Sequence, residues 1–472
     1  MRFPFLGITS YRSEHSTDRR IERRKETMQQ VRKIGLALTL CLSLFAAGRQ
    51  EANAQGYVLI DLGTLGGSQS FADAINEEGQ ISGGAYLTGD TVFHPVIWDA
   101  NHVIHDLGLP SGWVGGEAYS INDLGQVTGY LQNSAGIDHA LYADSNGMVD
   151  LGTAGWQNSV GQGINNSGQI AGYFWNSSTS VAFLHNGASS LSASDVLSMP
   201  SGWTGSAAWG INNAGQVAGE GYPNSSIDQA LLWDPVAGME ILQDQMGGNW
   251  DRAFAINDAG EIAGAAMTAQ GKIVPYLYSD GVMSDLGTFD NSPYYEAHAL
   301  DSSGQQVVGF ITSNLVGHFT GTFLWKDGQM YNMSQLVNLP SGYVLNVTTN
   351  AGVNSYGQIV TTSCADASGD PPYHAVLLEP IVVKSVTLKS SSVVGGTNTT
   401  GKVTLTAPAV VNAYVQLASQ NPAATVPVRV LIRAGHSSAS FAIRTSAVSA
   451  PETGQITAFD GTIKGALLTV NP

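Results

Sequence analysis

Glu296 and His298 are the pair of ionisable side chains whose spacing most suggests acid–base chemistry. They lie in residues 290–298, a stretch that also holds Tyr294 and Tyr295 and breaks the pattern of the chain around it. Residues two apart on a strand share a face, so the carboxylate and imidazole can serve one substrate as acid and base. The same residues also fit a polar loop running into a strand. His102 and His105 form another close pair, but two imidazoles without further ligands hold no metal. No Gly-x-Ser-x-Gly elbow announces a serine nucleophile. No cofactor and no metal site is expected.

A recognition surface has other candidates. Three connecting segments carry Pro-Ser-Gly followed by an aromatic residue, which places Trp113, Trp203 and Tyr343 on loops. Such rings stack on sugar faces and anchor protein contacts. They can equally cover the seam between two structural units.

What positions these residues is a repeat. The phrase Ile-Asn-x-x-Gly-Gln-(Ile/Val)-x-Gly occurs, with variations, seven times, with its Asn or Asp at Asn76, Asn122, Asn165, Asn212, Asn257, Asp301 and Asn354. The steps are 46, 43, 47, 45, 44 and 53 residues, a period that means one supersecondary unit copied around a ring or along a stack. Before each Asn the residue types alternate with period two, as in a strand. Two and four residues before it the side chains are small in the first six copies, for example Ala74 and Ala72, or Gly163 and Gly161. This predicts one small face that neighbours approach closely, and places the strand innermost, near an axis. Asn-x-x-Gly predicts a tight turn, with the Asn side chain bonding its own backbone and the Gly at positive φ.

Gln-Ile-x-Gly then opens a return strand. A third strand follows, such as residues 94–98 or 229–233, then a short turn such as Asp327-Gly328, and a fourth strand ending Asp-Leu-Gly at Gly108, Gly152 and Gly287. Four strands per repeat without helices predict an all-β fold, a seven-bladed β-propeller; the alternative is an open β-solenoid. The last repeat lacks an Asp-Leu-Gly strand, and residues 57–63 are such a strand with no hairpin before it. The N-terminal strand is therefore expected to close the last blade and remove both open edges.

The three motifs together, over residues 57–378, resemble the HAF-repeat family of extracellular bacterial proteins. That pattern couples the Ile-Asn hairpin to a His-Ala-Phe-Leu-Trp strand and an Asp-Leu-Gly strand. No copy here keeps His-Ala-Phe whole; His139-Ala140-Leu141, His374-Ala375-Val376 and Val181-Ala182-Phe183 come nearest. The resemblance implies secretion and a repeat fold, and no activity.

Residues 1–54 read as a leader. Met28 is the expected start, Arg32 and Lys33 precede an apolar run over residues 34–47, and Ala52-Asn53-Ala54 is a signal-peptidase site with cleavage after Ala54. The run is too short to span a membrane, so the mature protein is expected outside the cytoplasm, at the cell surface, secreted or in a periplasm. Cys41 leaves with the leader, and Cys364 remains alone, without a disulfide partner.

Residues 55–380, the expected propeller, carry 30 carboxylates against Arg252, Lys272 and Lys326. Such a body repels nucleic acid and anionic membranes. Residues 381–472 are weakly basic, with seven Lys/Arg against two acids, and hold about seven short strand-like runs separated by Gly, Pro, Asn and Ser. This predicts an immunoglobulin-like sandwich, a spacer or adhesive module. The function expected is a secreted, non-enzymatic binding or adhesion protein whose propeller loops contact a glycan or a surface protein. A polysaccharide-active hydrolase or lyase built on Glu296 and His298, and a structural envelope component without a ligand, are the alternatives.

Overall fold

The computed structural model describes residues 56–472, apart from 225–226, 243–244, 291, 313–318, 340–344, 346–350, 365–371 and 461–462. The expected leader, with Met28 and the cleavage site at Ala54, lies outside the described residues, as does Tyr343. Among the described residues no helix is long and apolar enough to cross a membrane.

The repeats fold as antiparallel sheets. The first contains Gly66–Ile75, Ile81–Leu87, Phe93–Trp98 and Ile104–Asp106, hydrogen-bonded in chain order. The second contains Trp113–Ile121, Val127–Asn133, Asp138–Asp144 and Gly147–Gly152 in the same order. The fourth, fifth and sixth repeat this arrangement and touch through single parallel bridges, Asp228 with Trp250 and Ile273 with Tyr294. The third differs from the expected four strands. It has Asn158–Ile164, Gln169–Trp175 and Ser180–Asn186, then a 3-10 turn at Ala193–Asp195 and one bridge between Phe183 and Val196. The cause is local: where Asp-Leu-Gly should stand, Asp195 Oδ2 instead accepts from the Ser192 N–H at 2.7 Å, and the serine-rich segment turns.

The last repeat supplies Gly352–Val353, Ile359–Cys364 and Tyr373–Pro380, and Tyr57–Asp61 completes its sheet. Leu59 stands opposite Leu378 and Asp61 opposite Val376, as the orphan N-terminal strand predicts. The joint carries a polar clasp, His374 Nδ1 to Asp61 Oδ2 at 2.8 Å. The same cross-strand pair recurs as His94 with Asp106 at 2.8 Å and His139 with Asp150 at 2.9 Å. Each of these aspartates also accepts from the Gly N–H two residues on, at 2.7–2.9 Å. Histidine in the third strand and Asp-Leu-Gly in the fourth thus hold each other.

The Asn-x-x-Gly turns form as expected. Gly79, Gly125 and Gly168 have φ of 76°, 73° and 73°. The Asn side chain does more than close its own turn. Asn76 Nδ2 donates to the backbone oxygen of Asn122, Asn122 to Asn165, Asn165 to Asn212 and Asn212 to Asn257, at 2.8–3.0 Å. Asn257 reaches Asp301 O at 3.4 Å, and Asn354 donates back to Asn76 O at 3.1 Å, across 278 residues. The repeats therefore stand in a closed ring, laced at one end of its axis. Asp301 carries no side-chain N–H and passes no such bond on.

The small face needs correction. Residues two and four before the Asn do not share a face, because a β-bulge falls between them in the first, second, third, fourth, fifth and sixth repeats, for example between Ala72 and Ala74 and between Ala118 and Ser120. The residue four before is buried in the sheet, Ala118 at 0 % exposure. The residue two before lines the axis, where the neighbouring inner strand comes so close that a Cβ on Gly210 would sit 3.1 Å from Ala255 Cα. The bulge explains the last Gly of the phrase. A Cβ on Gly129 would lie 1.9 Å from Glu117 O, and one on Gly83 2.0 Å from Phe71 O. Only glycine lets the bulged backbone lie there.

Residues beyond 381 form two sheets around one core. Val383–Leu388, Thr399–Leu405, Ser438–Thr445 and Ala424–Thr425 make one; Ser392–Val394, Ile463–Asn471, Glu452–Phe459, Ala413–Ser419 and Arg429–Ile432 make the other. Val403, Ile443, Val415, Ile456 and Leu468 meet between them. Cys364 is buried.

Candidate functional site

The bulge sets what the axis presents. In the first six repeats it turns the residue three before the Asn or Asp into a central channel of 290 Å³, lined there by Asp73, Tyr119, Gln162, Trp209, Phe254 and His298, with Ala351 from the seventh. These six differ in type while the residues around them repeat. Behind them Tyr119 packs on Tyr130 (5.4 Å between ring centres), and Trp209 on Tyr173 (5.5 Å) and Phe254 (6.1 Å).

The structure brings the predicted pair together. His298 Nε2 and Glu296 Oε2 are 3.0 Å apart. The imidazole stacks on Phe254 at 4.1 Å and tilts on Phe310 at 4.6 Å. Burial opposes the charge of Glu296, but the His298 hydrogen bond and charge and the Arg252 guanidinium outweigh it and hold the carboxyl below its ordinary value. The pair is a braced part of the channel wall. Among the described residues no group of three or more His, Cys, Asp or Glu side chains is placed to hold a metal ion. His102 takes positive φ in a turn, and His105 bonds Asp99 at 3.1 Å.

Trp113 and Trp203 are half-buried, at the expected equivalent positions nine residues before Asn122 and Asn212. Each opens its turn in the same way, with its N–H donating to the Pro three residues earlier, at 3.2 and 3.3 Å. Trp113 lies edge-on to His139 at 4.8 Å. Trp203 covers Gly221, where a Cβ would meet the indole at 2.5 Å. Trp156, nine before Asn165, stacks on Phe174 at 6.2 Å. Leu345, nine before Asn354, is buried. Alignment of the repeats on their Asn shows a large apolar residue at this position in four of the seven copies, the others being Gly67, Gly248 and Ser292, and in the three tryptophan copies the ring packs on its own sheet.

A wider cleft, 760 Å³, opens on the face that carries these loops, opposite the Asn turns. The third repeat contributes Tyr173, Trp175, Asn176 and Ser178–Ser180, and the fourth Thr204, Tyr222, Asn224 and Asp228. Two of its lining residues, Asp228 and Tyr222, belong to a charged network. Arg252 Nη2 lies 2.6 Å from Asp228 Oδ2, and Nε 2.6 Å from Glu220 Oε2. Tyr222 donates to Glu220 Oε1 at 2.7 Å. Burial pushes Glu220 up, against the pull of Arg252. The guanidinium also lies 4.9 Å over the Trp250 ring. The cleft exceeds the channel in volume and falls in the range of small-ligand sites, about 300–1,000 Å³.

No protein-family model matches the chain, and no curated protein matches it. Solved structures do. TolB from Acinetobacter baumannii is 12 % identical over 63 % of this chain and 79 % of its own, with a TM-score of 0.36. YCF48 bound to D1 peptide is 9 % identical over 70 % and 96 %, with a TM-score of 0.42. A prolyl endopeptidase is 9 % identical over 76 % and 56 %, with a TM-score of 0.43. The class of protein is set by the chain's own topology: repeated four-stranded antiparallel sheets around an axis, closed by the N-terminal strand, make a β-propeller.

Proposed function

We propose that the protein is an exported, non-enzymatic binding protein, a seven-bladed propeller of the HAF-repeat kind. Its loop face engages an extracellular glycan or surface protein, and its C-terminal sandwich, read as immunoglobulin-like, serves as spacer or attachment. The observation that carries this reading is a division of labour. The repeated Asn, Gln, His and Asp side chains are bonded within the scaffold, whereas the large cleft lies among residues that do not repeat, on the loop face. The leader read at residues 28–54 supports export, and the acidic body argues against nucleic acid as partner. Binding of the purified protein to envelope material and to glycan arrays tests it, with an unrelated propeller as control. Binding above the control is expected, and none would refute it.

A hydrolase or lyase is the second reading, favoured by the Glu296–His298 contact of 3.0 Å alone. It requires turnover of a polysaccharide that disappears in both Glu296→Gln and His298→Asn. Turnover that survives both removes that site.

A further inference from the structure

We propose that the cleft between the third and fourth repeats is a saccharide site selective for neutral sugars, with Trp175 as its platform and Asp228 as its fixed hydroxyl acceptor; this rests on the binding reading above. Trp175 is half-buried, tilts on Tyr173 at 5.4 Å between ring centres, and its indole N–H bonds to none of the described residues. Half-buried indoles with an N–H to offer suit the apolar face and hydroxyl edge of a pyranose.

Asp228 lines the same cleft and is held through one oxygen only. Arg252 takes Oδ2 through Nε at 3.0 Å and Nη2 at 2.6 Å. Oδ1 has no partner among the described residues, and Asp228 lines the cleft. Arg252 is in turn fixed by buried Glu220, which Tyr222 caps. A carboxylate anchored in this way accepts a hydroxyl bond with little ordering cost. Asn176 adds a donor. Its Oδ1 closes a turn on the N–H groups of Ser178 and Thr179 at 2.8 and 3.1 Å, which leaves its amide nitrogen for a ligand.

Charge selects the class. The cleft lining holds Asp228 and no cation, the nearest guanidinium is already paired with two carboxylates, and the surrounding body is strongly acidic. A uronate or sulfated sugar would set its negative charge against Asp228, whereas a neutral hexose brings hydroxyls and no charge.

The experiment is a glycan array and titration calorimetry on the full chain, with neutral and uronate-containing oligosaccharides of matched length. The variants are Trp175→Ala, Asp228→Asn, and Trp113→Ala as a control in the second repeat. Neutral glycans should bind, and Trp175→Ala should weaken them roughly tenfold or more. Asp228→Asn should weaken neutral sugars and reduce the discrimination against uronates, and Trp113→Ala should leave affinity unchanged. Unchanged affinity in Trp175→Ala and Asp228→Asn overturns the cleft while leaving the binding reading intact. So does envelope binding without any array signal. Preference for uronates overturns the charge argument. Failure to bind either array or envelope removes both readings.

Discussion

Replacing Asn122 by Ala should destabilise the ring by about 2–4 kcal/mol. The side chain is 4 % exposed and makes four hydrogen bonds. Nδ2 donates to Gln126 Oε1 at 2.7 Å and to Asn165 O at 2.8 Å, while Oδ1 accepts from the N–H groups of Leu124 and Gln126 at 3.0 and 2.9 Å. The loss is not four whole bonds. Asn165 O keeps the Gly168 N–H at 2.9 Å, and Gln126 keeps Tyr142 through Nε2 at 2.8 Å. What remains is about 1 kcal/mol net for each of two or three bonds, with an added desolvation cost where the Gln126 N–H is left half-buried. Urea unfolding followed by tryptophan fluorescence should show a lower midpoint at constant slope. Leu124→Ala, two residues on and 68 % exposed, should change stability by no more than about 0.5 kcal/mol. Asn122→Asp should cost at least as much as Asn122→Ala, since its second oxygen would face Asn165 O. Asp301 tolerates a carboxylate because Ser303 Oγ and Gln306 Nε2 donate to it at 2.8 and 3.3 Å; at Asn122 the corresponding amide is held by Tyr142. A loss below about 1 kcal/mol in Asn122→Ala, or a milder effect of Asn122→Asp, would refute the view that the Asn ladder holds neighbouring repeats together.

Gly129→Ala should lose at least about 3 kcal/mol or abolish folding, because its Cβ would fall 1.9 Å from Glu117 O; Gly115→Ala, whose nearest neighbour is 3.8 Å away, is the control, and equal urea midpoints would contradict the bulge argument. The His374–Asp61 clasp should make closure pH-dependent. The Asp61 hydrogen bond raises His374 and the His374 hydrogen bond lowers Asp61. The histidine contribution is full below the ordinary imidazole value and disappears as pH rises through the raised one. The aspartate contribution is full above the ordinary carboxyl value and disappears as pH falls through the lowered one. The clasp is therefore strongest between about pH 4 and 6.5. With side chains 26 % and 38 % exposed, solvent screening keeps it near or below about 1 kcal/mol. Wild type minus His374→Ala stability, measured from pH 4 to 9, should fall above neutrality; a flat difference would exclude the clasp. Removing residues 1–63 exposes the edge of Tyr373–Pro380 and should produce association in sedimentation; a monomer with the wild-type midpoint would show that closure by Tyr57–Asp61 contributes nothing.

Much of the scaffold was legible because it rests on local rules repeated many times. The turn glycines, the strand order and the unpaired segment at residue 57 each follow from residue types at fixed offsets. The bulge was not legible by the same rule. Period-two reasoning assigns Ala72 and Ala74 to one face, and one extra backbone residue between them breaks the count. The third repeat's missing strand has a cause of its own: Val181 stands where His139 does, and Asp195 pairs instead with His185, at 3.1 Å, from a 3-10 turn. The contact between Glu296 and His298 follows from their spacing, but their proximity to Arg252 depends on Arg252 lying in the preceding repeat, and a single copy of the motif does not contain that information.

The repeat alignment holds one more signal, and it lies in what fails to repeat. A position held by the repeated bonds is restricted in type, so variation within a nearly uniform frame marks positions that those repeated bonds do not fix. Three before the Asn the residues are Asp73, Tyr119, Gln162, Trp209, Phe254 and His298, and all six face the channel. Ten after the Asn, the first five copies give Tyr86, Gln132, Trp175, Tyr222 and Met267. Trp175 and Tyr222 are the one pair among these five that is aromatic in adjacent repeats, and that is where the cleft opens. The third repeat's departures from the pattern do not weaken this argument: its lost fourth strand lies after Asn186, whereas its cleft residues belong to the inner strands and their hairpin, which keep the register of their siblings. A ligand site can therefore be specific to one seam of a ring whose frame is nearly uniform, because the backbone is set by the positions that repeat and the chemistry by those that vary.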